Sequence, residues 1–192
     1  MARLVAFVLL VALSPLLAFL ALSTWFSLGS PVLFRQERSG LRGSTFRIAK
    51  FRSMTDERGA DGSLLPDEQR VTAWGKFLRR SRLDELPGLW SIVRGDMAFV
   101  GPRPLLPETI ASLGQRGRQR GAVRPGLTGW AQVNGNTLLG LDEKIALDLD
   151  YVRNSSTLLD MKIILRTLHV MLAGERLTGA SPTSEPPPGR YH

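Results

Sequence analysis

An uncharged apolar run near the start of the chain constrains the fold more than any other feature. Residues 4–28 read LVAFVLLVALSPLLAFLALSTWFSL and contain no acidic or basic side chain. A helix of about 20 residues is long enough to cross the hydrocarbon core of a bilayer. A cleaved signal peptide is the main alternative, but only Arg3 precedes the run and no A-x-A site follows it. We therefore expect a membrane anchor.

A Ser-Pro pair at the middle of this run leaves two topologies open. Pro15 removes one backbone hydrogen bond and clashes with the preceding turn, so we expect a kink after Ser14. A mildly kinked helix that spans the bilayer is the simpler interpretation, because such helices tolerate proline. A helix bent sharply enough to enter and leave on one face is the alternative. Basic residues after the run predict that its C-terminal end is cytoplasmic. They are Arg35, Arg38, Arg42, Arg47, Lys50 and Arg52.

The balance of charges indicates an anionic partner. The 192 residues include 25 Lys and Arg against 17 Asp and Glu, which gives a formal net charge of +8. Nucleic acid, an anionic membrane surface and a phosphorylated substrate all fit that balance. The sequence has no cysteine, which excludes disulfides and thiolate metal sites. Since His169 and His192 are its only histidines, we expect neither a histidine-rich zinc site nor a histidine-based triad.

Beyond the anchor, the hydrophobic pattern predicts an α/β fold that is mostly helical and has a short β-hairpin or small sheet. Two short strands are expected on either side of a glycine-containing turn, and a polar loop follows them. The strands are expected within 31–40 and 43–54, and the loop at 56–69. Helical spacing characterises the later segments, and a structured loop or short strands fill 124–136. The predicted helices are 71–83, 87–93, 105–120, 141–153 and 158–173.

An apolar stripe at helical spacing predicts the buried face of the helix over 71–83. Its members are Val71, Trp74, Phe77 and Leu78. With Trp90, the aromatic members could instead stack on nucleic-acid bases in this basic part of the chain. The helical spacing favours a core face, so we expect no nucleic-acid partner.

The last predicted helix, 158–173, combines an apolar face with Lys162 and Arg166 on its other side. The apolar residues are Leu158, Leu159, Ile163, Ile164, Leu168 and Met171. A core helix and a helix in the membrane interface both fit, and both hold if different faces serve. Residues 179–192 are rich in proline and poor in apolar side chains, which predicts a disordered tail.

Nearly all of the net charge lies between residues 70 and 126. This window holds eleven Lys and Arg against four acidic residues, and the dominance of arginine favours bidentate phosphate recognition. Within it, the stretch RRSRLDELPG sets Asp84 and Glu85 side by side. A surface helix with local ion pairs would explain such a pair. A carboxylate in a cationic field also stays ionised and can act as a nucleophile or a metal ligand.

A D-x-D match at Asp148 and Asp150 is the type of pattern with which many nucleotide-sugar transferases hold a metal. Here it lies inside a helical pattern, LDEKIALDLDYV, whereas that motif normally ends a strand. Three-residue matches are common by chance. We therefore expect a surface helix at this place and no metal site.

Five long segments resemble those of the bacterial sugar transferases, in particular the small monotopic phosphoglycosyl transferases. They are SPVLFRQERSG, FRIAKFRSM, LRRSRLDELPGLWSIVRGDMAFVGPRPLLP, RPGLTGWAQVNG and LDLDYVRNSSTLLDMKIILRTL, in the family's order. In that family a Ser-Pro pair breaks the anchor, so Ser14 and Pro15 are expected to return the helix to the cytoplasmic face. This reverses the preference for a spanning helix. The resemblance implies a re-entrant helix over 1–29 and a cytoplasm-facing catalytic domain over 30–178.

The resemblance also implies an activity, which is the transfer of a sugar-1-phosphate from a UDP-sugar to polyprenyl phosphate with release of UMP. Asp84 would be the nucleophile and would form an aspartyl-phosphosugar intermediate. Glu85 would handle a proton or position the acceptor phosphate. The family's metal is Mg²⁺, expected at Asp84, because this hard cation needs few carboxylates beside phosphate oxygens. The enzyme would lie on the cytoplasmic face of a bacterial inner membrane, with membrane lipids and downstream glycosyltransferases as partners.

Further substrate contacts are expected from basic and proline residues around the acidic pair. They are Lys50, Arg52, Arg79, Pro102, Arg103, Pro104 and Arg124. Neighbouring residues in a regular helix point about 100° apart, but Pro87 predicts a helix end or distortion that would let both acids face one site. A non-catalytic, basic membrane adaptor that binds anionic lipid or nucleic acid is the alternative function.

Overall fold

A computed structural model describes residues 1–173, and within them the protein is mostly helical with two small sheets, as predicted. The helices are α1 (Ala2–Ala12), α2 (Ser14–Leu28), α3 (Asp67–Arg70), α4 (Ala73–Ser81), α5 (Leu89–Arg94), α6 (Pro107–Ser112), α7 (Gln115–Arg120), α8 (Trp130–Val133), α9 (Leu141–Asn154) and α10 (Thr157–Ala173). The strands are β1 (Leu33–Ser39), β2 (Thr45–Phe51), β3 (Ala98–Val100) and β4 (Gly126–Thr128). The predicted disordered tail, 179–192, lies outside the described residues.

The apolar run forms two helices rather than one. α1 and α2 meet at a bend of 62°, where Ser14 and Pro15 begin the second helix. Ser14 Oγ donates to the carbonyl of Val11 at 2.7 Å, in addition to the main-chain N–H that this carbonyl accepts at the end of α1. Between residues 1 and 173 no single helix is long and apolar enough to cross a bilayer, and this bent pair is the one candidate.

Both ends of the bent pair are attached to the rest of the protein. The Arg3 guanidinium fills the space beside Gly95, at the end of α5, where a side chain on that residue would stand. At the other end, Arg52 Nη1 donates to the carbonyls of Leu28 and Ser30, both at 3.3 Å. The two ends of the apolar pair therefore contact the same folded domain.

Three apolar clusters connect the helices to the sheets. α1 buries Ala6 beside Ile92 of α5, and α2 buries Leu20 beside Leu78 of α4. In the third cluster, Ile163 of α10 is fully buried beneath β3 and α8. Each fully buried aliphatic side chain of this size stabilises the fold by about 1.5–3 kcal/mol. α1 and α2 are thus part of the core.

The β1–β2 hairpin provides one wall of the site described below. Its antiparallel register pairs Phe34 with Lys50, and Arg38 with Phe46. Residues opposite each other in such a pair project from the same face of the sheet, and so do residues four apart along one strand. Arg38 lies four residues after Phe34, the partner of Lys50, so Lys50 and Arg38 share a face. The second sheet is parallel, with Ala98 opposite Gly126, and the GPRP loop at 101–104 follows its first strand directly.

Two helix predictions were wrong in extent. The segment 105–120 was predicted as one helix but forms α6 and α7, because Gly114 has a φ of 54° between them. The helix predicted over 71–83 extends only over α4, since Arg82 has a left-handed φ of 55° and ends it. The end of the polar loop at 56–69 forms the first part of the short helix α3.

The expected burial of the aromatic residues was also partly wrong. Leu78 is fully buried, but the side chains of Phe77 and Trp90 are 51% and 54% exposed. Trp74 is half-buried, and its Nε1 donates to Thr24 Oγ1 of α2 at 3.0 Å. Phe77 stacks on Trp74, with the ring centroids 5.3 Å apart, and not on the core.

Candidate active site

The acidic pair lies in a 3₁₀ turn, Leu83–Gly88, that follows α4 directly. Pro87 lies inside this turn, so the predicted distortion is present, although α4 itself already ends at Ser81. The tight turn places Asp84 and Glu85 on the wall of a single cleft. The expectation that both acids face one site is therefore met.

The cleft has a volume of about 800 Å³, which is within the range of small-molecule sites. Eight cationic and four acidic side chains line it. The cations are Arg35, Arg38, Lys50, Arg52, Arg70, Arg79, Arg82 and Arg103, and the acids are Asp56, Asp67, Asp84 and Glu85. The dominance of arginine suits a ligand with several phosphate charges.

Glu85 is held between two cations. Its Oε1 accepts hydrogen bonds from Lys50 Nζ and Arg103 Nη2, both at 2.6 Å, and 15% of its side chain is exposed. Burial alone would raise the pKa of Glu85, but the charges of Arg103 and Lys50 outweigh it and lower the pKa to about 2. At neutral pH the carboxylate is therefore ionised and fixed in position.

Asp84 has a different environment from its neighbour. Within residues 1–173 its carboxylate makes no hydrogen bond or ion pair. Burial and the charge of Glu85 raise the pKa of Asp84, and the nearby cations oppose this only in part. The same cations that lower the pKa of Glu85 to about 2 do not outweigh burial at Asp84. An unengaged carboxylate that is more basic than a free aspartate is a better nucleophile once ionised.

Two of the predicted phosphate-binding arginines use several donors on the protein itself. Arg79 Nε donates to Ser53 Oγ at 2.9 Å, which holds the arginine at the end of β2. Arg52 forms an ion pair with Asp56 at 2.8 Å in addition to its bonds to the end of α2. Arg79 therefore remains the better candidate for a substrate phosphate, while Arg52 holds the end of α2.

Pro102 and Arg124 are not brought to the acidic pair. Pro102 borders a separate cavity of about 460 Å³. Arg124 Nε donates to the carbonyl of Gly95 at 3.0 Å, near the end of α5. Pro104 lies closer, since it lines a small pocket that also contains Glu85.

The sequence argument missed two arginines of β1. Arg38 is half-buried in the cleft wall, and burial together with the charge of Arg103 lowers the pKa of its guanidinium. Arg35 lines the same cleft and is exposed. The hairpin register could have identified Arg38, because cross-strand pairing puts it on the face that carries Lys50.

The donor set at Asp84 fits a magnesium ion held partly by substrate. No group of three or more metal-ligating side chains occurs among the residues that the structure describes. Mg²⁺ is commonly bound by one or two carboxylates, with phosphate oxygens and water completing its octahedron. Asp84 offers one such carboxylate in a cleft suited to phosphate, and no other group of the described part of the chain competes for its oxygens.

The D-x-D match is helical, as expected, but its first carboxylate is not at the surface. Asp148 lies in α9 with 3% of its side chain exposed and pairs with Arg120 at 2.8 Å. Asp150 accepts a hydrogen bond from Asn154 Nδ2 one turn later. The surface prediction was wrong for Asp148 because Arg120, which is distant in sequence, supplies its countercharge.

Several known proteins are similar in sequence to this chain over most of its length. The family model described as bacterial sugar transferase matches residues 1–174. The uncharacterized sugar transferase EpsL of Bacillus subtilis is 46% identical over 148 residues, which cover 77% of this chain and 73% of that relative. The UDP-glucose:undecaprenyl-phosphate glucose-1-phosphate transferase of Caulobacter vibrioides is 41% identical over 187 residues, or 88% and 67%.

A further relative is considerably longer than this chain. The undecaprenyl-phosphate glucose phosphotransferase of Komagataeibacter xylinus is 42% identical over 175 residues, which cover 83% of this chain. The chain spans 33% of the length of that relative.

Proposed function

The chain belongs to the bacterial sugar transferase family, and on this premise we propose that it transfers a sugar-1-phosphate from a UDP-sugar to a polyprenyl phosphate such as undecaprenyl phosphate, releasing UMP. One observation carries the proposal. Asp84, whose carboxylate has a raised pKa and no hydrogen bond within residues 1–173, lies beside an ionised Glu85 in a cleft rich in arginine. Such a cleft provides a nucleophile and countercharges for a diphosphate in one place. The names of the relatives from Caulobacter and Komagataeibacter agree with this chemistry.

The reaction proceeds in two displacements at one phosphorus. An Asp84 oxygen attacks the phosphorus that carries the sugar, and the bond from that phosphorus to the bridging oxygen breaks. UMP leaves with that oxygen and the electron pair, and an aspartyl-phosphosugar remains. A phosphate oxygen of the polyprenyl phosphate then attacks the same phosphorus and restores the carboxylate.

Glu85 serves as an orienting anion in this account. A carboxylate with a pKa of about 2 is a weak general base at neutral pH, so direct transfer with Glu85 as base is the less favoured mechanism. Its carboxylate instead fixes Lys50 and Arg103 in the lining of the cleft, where they stabilise charge on the transferring phosphate. Mg²⁺, held at Asp84 and phosphate oxygens, would supply further charge stabilisation for the leaving UMP.

Two apolar surfaces support a place in the cytoplasmic membrane, with the active site on the cytoplasmic face. On α1 and α2, large apolar side chains are exposed along most of the length of both helices. They include Leu4, Phe7, Val8, Val11, Phe19, Leu22, Trp25 and Phe26. Such an extended patch is rare on a soluble monomer. Because both ends of the bent pair contact one domain, a monotopic arrangement fits it better than a spanning one.

α10 provides the second surface. Its buried face carries Ile163, while Lys162 Nζ and the Arg166 guanidinium lie 5.4 and 5.1 Å from the ring centroid of Trp130. The outward face instead carries Leu158 and Leu165, which are 83% and 63% exposed. A membrane interface would cover these leucines. The two interpretations of this helix thus apply to different faces.

Cysteine labelling tests the topology, because the wild-type sequence has no cysteine. We expect single cysteines at Ala2 and Ser30 to react with an impermeant maleimide from the cytoplasmic side of inverted vesicles. A cysteine at Leu165 should be protected in membranes and reactive in detergent. The matched control is a cysteine at Leu141, which is 48% exposed, adjoins Asp142, and should react in both. Labelling of Ala2 and Ser30 from opposite sides would contradict the re-entrant arrangement.

The proposed activity is tested by UMP release with the full chain in nanodiscs. Purified protein, Mg²⁺ and undecaprenyl phosphate are incubated with UDP-hexoses and UDP-N-acetylated amino sugars, starting with UDP-glucose. We expect catalytic UMP release with at least one donor and formation of the lipid-linked diphosphate sugar. The product would be the substrate of downstream glycosyltransferases. A basic membrane adaptor would instead release no UMP with any donor and would bind anionic lipid in a salt-sensitive manner.

A further inference from the structure

A buried ion pair contacts the GPRP loop, residues 101–104, which carries Arg103. Arg120, the last residue of α7, pairs through Nε with Asp148 Oδ2 of α9 at 2.8 Å, and their side chains are 4% and 3% exposed. Among residues 1–173, Asp148 Oδ1 is buried without a hydrogen-bond partner. Burying such a pair is costly, and apolar residues of similar volume are often equally stable in its place. Stability alone therefore does not explain these two residues.

The second contact of Arg120 leads to the active site. Its Nη2 donates to the main-chain carbonyl of Arg103. The side chain of Arg103 in turn donates to Glu85 Oε1 at 2.6 Å. Asp148 is thus connected to Glu85 of the acidic pair through Arg120 and then Arg103.

The loop that carries Arg103 depends on such outside contacts. Pro102 and Pro104 flank the arginine and have no N–H to donate. The carbonyl of Pro102 accepts from Gly126 N at 3.0 Å, and the carbonyl of Leu105 accepts from Ser39 N at 2.9 Å. Between these two main-chain contacts, the carbonyl of Arg103 is held by the side chain of Arg120.

We propose that Arg120 and Asp148 are positioning residues, which fix the main chain at Arg103 so that its guanidinium reaches Glu85 and the transferring phosphate. The proposal rests on the proposed transferase function for its catalytic consequence, but its structural part stands independently. Asp148 orients the Arg120 guanidinium and supplies its countercharge, and neither residue touches substrate. A displacement of about 1 Å at a substrate-positioning group can reduce a rate on the order of 100-fold.

The test is an apolar replacement of the whole pair, Arg120→Met with Asp148→Leu. The matched control is Arg116→Met with Asp142→Leu, because that 2.8 Å ion pair joins the same two helices but is 49% and 82% exposed. Hydrogen–deuterium exchange of the peptide covering 99–106, thermal melting and UMP release are measured for both. We expect faster exchange in this loop and a fall in kcat on the order of 10- to 100-fold for the buried replacement only, with KM for the donor changed less. The melting temperatures of the two variants should be similar.

A coupling measurement separates positioning from a general structural role. Arg103→Gln alone should lower kcat on the order of 100-fold, as expected for loss of one preorganised donor. Adding the buried replacement to Arg103→Gln should lower it by less than about threefold more, because the two act through one group. Fully multiplicative effects, or unchanged exchange at 99–106, would overturn the proposal. If the wild type releases no UMP, the transferase function fails, while the exchange experiment still tests the positioning.

Discussion

Asparagine at position 84 is expected to abolish catalytic UMP release, with a loss of at least about 1,000-fold in kcat. The amide has nearly the same shape as the carboxylate but is a very poor nucleophile towards phosphorus and, being neutral, a weaker ligand for magnesium. The substitution also removes the negative charge that Glu85 repels, so the fold should not be destabilised. Initial rates with saturating donor and acceptor, compared with melting temperatures, separate chemistry from folding.

The control for this variant is another carboxylate of the same cleft. Asp67 lines the cleft but is 68% exposed and pairs with Arg70 at 2.5 Å. Asp67→Asn should retain UMP release within about threefold, since an exposed ion pair contributes little. An Asp84→Asn protein with normal UMP release would refute the assignment of the nucleophile.

Glutamine at position 85 is expected to lower both activity and stability. The neutral amide leaves Lys50 and Arg103 without their shared countercharge, and one amide oxygen cannot hold both as firmly. We expect a fall in kcat on the order of 100-fold and a loss of about 2 kcal/mol in unfolding free energy. Donor kinetics and denaturation at pH 7 measure the two effects. Glu37→Gln, an exposed change on β1, is the control and should alter neither.

The stability loss caused by Glu85→Gln should become smaller as the pH falls. The pKa of Glu85 is lowered from 4.5 to about 2 in the folded protein. The unfolded chain therefore binds the proton first, and the stabilisation is complete above pH 4.5 and is lost as the pH falls towards 2. The difference in unfolding free energy between wild type and Glu85→Gln should shrink between pH 5 and pH 3. A difference that grows with acidification would contradict the ion-pair account.

Local patterns were enough to predict the hairpin, most helices and a kink at Ser14 and Pro15, while the sharper break was expected only from the family resemblance. Alternation and helical spacing are properties of short segments, and the proline effect acts within one turn. The same local reasoning placed one helix over 105–120. A glycine inside a helical pattern is often tolerated, and only the structure shows that Gly114 uses its left-handed freedom.

The details of the site depend on contacts between distant residues, which one sequence does not contain. Glu85 meets Lys50 from β2, and Asp148 meets Arg120 across two helices. The pairing with Arg120 overturned an expectation, because Asp148 was expected at the surface and is buried. The exposure of Phe77 was missed because helical spacing does not show how much of an apolar stripe the fold covers.

The covalent intermediate is the central claim, and mass spectrometry of the digested protein tests it most directly. Wild-type protein is mixed with Mg²⁺ and the active UDP-sugar, with no polyprenyl phosphate present, and is quenched and digested. We predict stoichiometric UMP release and a sugar-phosphate mass on the peptide that contains Asp84, lost again when undecaprenyl phosphate is added. UMP release that begins only with the acceptor, without any adduct on the protein, would contradict the account and favour direct transfer.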